Sequence, residues 1–243
     1  MITRHTKAIF ASIAFLKIQL GDIVTDMRGK SGGMVYQKGA YGLIKRTKVT
    51  PVNPQSTIQQ TQRGTFSTQS SAWRSLTEAQ RNTWISGAGG FPYSDIFGNR
   101  QSLSGNALYV KLNTVLTNLG QAANSSLPAA VAVPLATATA LAADASAHTL
   151  QLDFTDTPIP AGFKLVVEAT PQVSAGINFM KNKYRVLARV DAAGTSPQAL
   201  GTAYEAKFGT LTTGKKIGVR IYLASKTTGQ VGIATALTTV VVP

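Results

Sequence analysis

The chain has 243 residues, enough for one large domain or two small ones that each bury a core. Its 24 Lys and Arg stand against 10 Asp and Glu, a net charge of +14, and it has no cysteine. Disulfides and thiolate metal sites are thereby excluded, and the charge favours an anionic partner: nucleic acid, a membrane surface or an acidic protein face.

The charge is skewed toward the front, where the first 50 residues hold nine basic and two acidic side chains. Arg4, His5 and Lys7 precede an apolar run from Ala8 to Leu16 that Lys17 closes. The run is far shorter than the roughly 20 residues a spanning helix needs. No small-x-small cleavage site follows closely, so the segment reads as an amphipathic arm or an edge strand. Residues 18–27 fit neither period. From Met34 the pattern clears: Val35, Tyr36, Tyr41, Leu43 and Ile44 sit among Gly32, Gly33, Gly39 and Gly42, with Lys38, Lys45, Arg46 and Lys48 interleaved. Glycine at this density opposes a helix and suits bends. Two short strands are predicted, 33–38 and 42–49, with a turn at Gly39-Ala40. A lone hairpin is marginal in water, so this basic ribbon is expected to complete a surface that another molecule supplies.

Pro51 and Pro54 stop the second strand. Asn53-Pro54 predicts a helix opening, with Asn as cap and Pro at the first helical position, and the helix runs to about Ser75. Ile58, Thr65, Phe66, Ala72, Trp73 and Leu76 recur near helical spacing and form a narrow stripe. Thr77-Glu78-Ala79-Gln80 is a capping box for a second short helix ending near Ile85. A loop follows to Arg100. Ser104 then caps a third helix, whose Leu108, Leu112, Val115, Leu116 and Leu119 share a face and which Gly120 ends. Residues 121–147 are Ala-, Ser-, Val- and Pro-rich with almost no charge, and a domain boundary is placed near 128. Beyond it the period becomes two. Leu150 to Phe154, Phe163–Ala169, Tyr184–Val190, Ile217–Leu223 and Val231–Val242, separated by turn signals, predict an antiparallel sandwich.

No motif carries catalysis. Gly29-Lys30-Ser31 ends like a phosphate-binding loop, but Val24 stands where the first glycine belongs. The two histidines, His5 and His148, are far apart in sequence and provide neither a triad nor a zinc set. Asp153 and Asp156 leave a strand just before Pro158, where turn-capping aspartates are ordinary. Trp73 and Trp84, at helical spacing beside Phe66 and Leu76, read as core rather than as a stacking platform. The one feature with a functional lean is the ribbon from Arg28 to Lys48. Lysines with tyrosines between them can grip phosphates and stack bases, or lie on an acidic protein face while the strands extend a neighbour's sheet. The charges alternate with apolar residues that need burial, which favours the protein partner.

Arg28-Gly29-Lys30, Gly33, Val35-Tyr36, Lys38-Gly39, Arg46, Asn53-Pro54, Gln59-Gln60, Arg63, Phe66, Trp73, Leu76-Thr77, Gln80-Arg81 and Trp84 form an ordered set. Phe97-Gly98 and the run Ser104 to Tyr109 extend it. Over about residues 21–115 the chain resembles virion structural proteins of tailed phages of Bacteroidetes, including the crAss-like group, often joined to an immunoglobulin-like domain. Ser56 stands where that pattern has threonine. The resemblance implies a virion component, either a capsid auxiliary or decoration protein or a neck/tail ring or connector protein.

The expected fold is α+β: a basic arm, ribbon and helical docking module at 1–127 and an antiparallel immunoglobulin-like sandwich at 128–243. Arg28, Lys30, Tyr36, Lys38, Tyr41, Leu43, Ile44, Lys45, Arg46 and Lys48 are expected to bind the partner. Asn53, Pro54, Arg63, Phe66, Trp73, Arg81 and Trp84 are expected to hold the module together. No enzyme activity, metal, cofactor or membrane partner is expected. The expected partners are virion proteins, the major capsid protein or the portal and neck proteins, with this chain homo-oligomeric or present in many copies in the particle. A nucleic-acid-binding protein packaged with the genome is the alternative.

Overall fold

The fold is mixed α and β. A computed structural model describes residues 15–17, 26–39, 42–50, 52–94 and 99–243, and the chain divides into two compact units, Met1–Ser56 and Thr57–Pro243.

The first unit holds an antiparallel sheet of four short strands: β1 (Phe15–Lys17), β2 (Gly29–Ser31), β3 (Met34–Gly39) and β4 (Gly42–Thr47), in the order β1-β4-β3-β2. The strands β3 and β4 fall within a residue or two of the predicted spans. Gly32-Gly33 turns β2 into β3, and Lys48 N donates to Gly33 O at 2.8 Å to close the sheet's end.

The second unit opens with α1 (Thr57–Ser75) and α2 (Glu78–Gly87). The expected helix opening at Asn53-Pro54 is corrected: Gln55 has φ 46°, a left-handed conformation that no right-handed helix contains, so α1 begins only at Thr57. Thr77 caps α2 as its sequence predicts. Its Oγ1 accepts from Gln80 N and its own N–H donates to Gln80 Oε1. A 3-10 turn at Ala88–Gly90 and a two-strand ladder of β5 (Tyr93–Ser94) and β6 (Arg100–Gln101) lead to α3 (Gly105–Asn118). Ser104 Oγ accepts from Ala107 N at the start of α3, and Gln121 N donates to Leu116 O past its end.

The remaining elements are β7 (Ala138–Asp144), β8 (Thr149–Phe154), β9 (Phe163–Ala169), β10 (Val173–Ser174), β11 (Arg185–Val190), β12 (Gln198–Ala199), α4 (Gly201–Phe208), β13 (Lys215–Ser225) and β14 (Thr235–Val240). They make two antiparallel sheets. One has the order β10-β13-β9-β11 with β14 on the other side of β13, and the second has the order β12-β8-β7. Inward residues alternate along the strands: Leu150, Leu152 and Phe154 on β8 and Ile217, Val219, Ile221 and Leu223 on β13. Both sheets share one core, which α4 closes with fully buried Tyr204. The Tyr204 hydroxyl donates to Thr170 O at 2.8 Å, and burial raises its pKa.

The boundary read near residue 128 lies inside this second unit. The end of α3 packs on the outer face of the five-stranded sheet through Leu119, Val166 and Ala224. Lys164 Nζ donates to Leu119 O at 3.1 Å, placing a cation at the helix's negative end. Asn113 grips the passage that follows, its Oδ1 accepting from Asn124 N at 2.7 Å, and Asn124 Nδ2 donates to Thr227 O in the sheet half. Helices and sheets are stitched by polar groups that composition does not announce.

Candidate docking surface

The residues singled out between Arg28 and Lys48 come together on the sheet of the first unit. Register sorts them onto two faces. Tyr36 lies opposite Lys45, and Lys38 opposite Leu43, on one face; Val35 opposite Arg46, and Gln37 opposite Ile44, on the other. Lys45 Nζ stands 5.8 Å from the Tyr36 ring centre, a cation over an aromatic face. Lys30 pairs in register with Val35 from the edge strand β2. Arg28 bonds Asp26 at 3.0 Å, and Asp26 is the only acidic residue in 26–56 against six basic ones. Tyr41 lies outside the described residues.

Burial in this unit is shallow. Tyr36, Leu43, Ile44, Lys45 and Arg46 are half-buried, Arg28, Lys30, Lys38 and Lys48 are exposed, and none of residues 26–38, 42–50 and 52–56 is buried. Arg46 Nε is shielded from water and has no hydrogen-bond partner among the described residues.

The second set of expected residues divides. Trp84 is fully buried, its ring edge-on to Tyr109 at 5.1 Å, and its Nε1 donates to Ser125 O at 2.9 Å. Trp73 is half-buried against Tyr109 at 5.4 Å. Arg81 is half-buried on α2, and Arg63 is exposed on α1. Asn53 and Pro54 are exposed ahead of α1. Phe66, read with the tryptophans as part of the module's own packing, is 59% exposed, and Ile58 is 70% exposed; the buried residue of α1 is Gln69. Gln69 bonds Thr117 across to α3, so the interface of α1 is partly polar; Ala72, Trp73 and Leu76 of its apolar stripe pack on the core, while Ile58 and Phe66 stay outside it.

That stripe leads to a groove of about 550 Å³ between α1 and α3, lined by Phe66, Ser70, Ala107, Val110, Lys111 and Thr114 among others. No family model, curated protein or solved structure matches this chain. Among the described residues no group of three or more His, Cys, Asp or Glu gathers that could hold a metal ion. No helix among them is long and apolar enough to cross a membrane. His148 is exposed at the start of β8 and its Nδ1 lies 2.8 Å from Glu205 Oε1. Asp153 accepts from Ser196 Oγ at 3.3 Å, and Asp156, at φ 69°, sits in the turn after β8. The groove was hidden from sequence because a helical stripe shows which residues share a face, not whether anything covers it.

Proposed function

We propose that the chain is a non-enzymatic assembly protein of a tailed-phage virion, docking through the basic sheet of its first unit while the second unit projects. One observation carries this reading. The strands bearing Val35, Tyr36, Leu43 and Ile44 have no buried side chain over residues 29–38 and 42–47, whereas the second unit has cores of its own. A sheet in that condition gains by placing a face against another surface. The six cations around it suit an acidic face. The resemblance of residues 21–115 to phage virion proteins supplies the setting. We read the two sheets of the second unit as an immunoglobulin-like sandwich.

The magnitudes bear on how it docks. Completing the burial of Tyr36, Leu43 and Ile44 contributes roughly 1 kcal/mol each, about 3 in sum, less than the roughly 4 kcal/mol of a millimolar complex. Further contacts are needed. Among the described residues β2 is paired on one side only, which suits strand addition, and repetition over a multi-copy particle multiplies a weak contact. The charges set orientation and encounter rate more than strength.

The test is assembly. A chain lacking residues 1–50 should fold, because the second unit has its own cores, yet fail to enter particles. Incorporation of the truncated chain at the normal level would reject the docking role. A salt titration separates the packaged nucleic-acid binder, whose affinity for DNA would fall steeply and logarithmically with salt.

A further inference from the structure

The segment joining β10 to β11, residues 175–184, has a construction that its length does not require. Met180 in its middle is buried, and its Sδ accepts from Thr170 Oγ1 at 3.7 Å. It sits over Gly218 of β13, where a Cβ would meet Tyr184 Oη at 3.1 Å and Met180 Cε at 3.4 Å. The missing side chain at 218 is the seat for Met180. Ile177 N donates to Ser174 O and Lys183 N to Met180 O, each at 2.9 Å, making a tight turn on either side. Arg185 Nη1 ties down the carbonyls of Asn182 and Tyr184. The loop is pinned at its centre.

With Met180 turned in, its neighbours are turned out: Phe179 is 68% exposed and Ile177 37%. Between Ala169 and Val190 the chain has no acidic residue, while Lys181, Lys183 and Arg185 follow directly on the exposed pair. Lys216 joins them from β13, donating to Asn178 Oδ1 at 2.8 Å. The flanking carboxylate, Glu168, is occupied by Arg220 and Tyr222 on the sheet face. The result is a pinned loop that exposes two wholly apolar side chains in a stretch whose only charges are cationic.

We infer that this loop is a peripheral contact site for an anionic lipid surface, with Ile177 and Phe179 entering the acyl boundary and Lys181, Lys183, Arg185 and Lys216 meeting headgroup phosphates. Apolar tips with flexible lysines around them match that two-layered chemistry, hydrocarbon beneath charge. A sugar or a nucleobase would leave Ile177 without a purpose, since neither presents a surface that rewards an aliphatic side chain. The inference is independent of the docking role of the first unit.

The test uses the full chain with vesicles of phosphatidylcholine alone and of phosphatidylcholine with about one-third phosphatidylglycerol. Co-sedimentation should occur with the anionic vesicles and weaken with salt. The first unit is also basic, so the deciding measurement is depth: Phe179→Trp should gain fluorescence quenching by brominated acyl chains that the parent lacks. The double variant Ile177→Ser/Phe179→Ser should lose about tenfold or more in vesicle affinity while melting at the parent temperature. Lys181→Ser/Lys183→Ser should weaken the preference for anionic vesicles. Equal binding to neutral and anionic vesicles, or binding of Phe179→Trp without added quenching, would overturn the inference. So would a soluble polyphosphate whose binding depended on Phe179 as strongly, which would make the partner a polymer.

Discussion

Whether helices and sheets of the second unit are one body comes down to a single missing side chain. Gly229, in the turn after β13, has φ 73°, and a Cβ there would lie 2.3 Å from Leu112 O and 3.0 Å from Leu112 C on α3. Gly214 has φ 77° and nothing within 4 Å of its Cβ position, so it is the natural control. Alanine in the left-handed region costs about 1–2 kcal/mol, and that is all Gly214→Ala should cost. Gly229→Ala adds an overlap with helix backbone, which cannot rotate away, so about 1–3 kcal/mol more is expected. With an m-value of about 2 kcal/mol/M, urea midpoints should fall by about 0.5–1 M for Gly214→Ala and about 1–2.5 M for Gly229→Ala. Tryptophan emission is the readout, because Trp73 and Trp84 both sit on the helices while Gly214 is in the sheet half. A tryptophan midpoint that ignores Gly214→Ala, or moves no further for Gly229→Ala than for the control, would refute the claim that the seam joins two halves into one cooperative unit.

Two further expectations follow from the same geometry. Trp84→Ala, emptying a fully buried site and leaving Ser125 O without its donor, should cost about 3–5 kcal/mol in thermal or urea unfolding, whereas exposed Phe66→Ala should stay within about 0.5 kcal/mol; a comparable cost at both positions would contradict the assigned burial. The hydrogen bond from His148, then that from Leu211 N, holds the Glu205 carboxyl below its usual pKa, and Lys226 and Lys164 do the same for Asp191. A depressed folded-state pKa contributes stability that is present above the unfolded value, about 4, and is lost as pH falls through the folded value. The melting temperature should therefore drop on acidification below about pH 4, and Glu205→Gln with Asp191→Asn should flatten that limb; an unchanged acid limb in the double variant would refute the assignment.

Much of the fold was readable because it rests on local chemistry. The capping box at Thr77 and Gln80, the cap at Ser104, the leucine face of α3 and the alternation in β8, β9 and β13 are each written within a few neighbouring residues. The misses have a common cause. β7 runs Ala-Thr-Ala-Leu-Ala-Ala-Asp, and alanine gives almost no contrast between an inward and an outward face, so no strand is predicted there from the sequence. The start of α1 moved because Gln55 takes a left-handed conformation that its identity does not advertise. The candidate partner-binding residues could be gathered from charge and glycine spacing, but their division into two faces needed the β3–β4 register, since a shift of one residue exchanges the faces.

What the amino-acid order determined by itself is most of the longer elements and the chemistry on offer: a cationic front half, no cysteine, capped helices, alternating strands. What only the tertiary structure decided is which of those side chains are covered. Trp84 and Phe66 are alike as apolar aromatics on neighbouring helices, yet one is sealed under α3 and the other stands beside an open groove. Met180 and Phe179 are adjacent in the chain, and the vacancy over Gly218 sends one inward and leaves the other facing solvent. Periodicity constrains direction along one element; burial depends on what the rest of the chain brings against it, and that is a property of long-range packing alone.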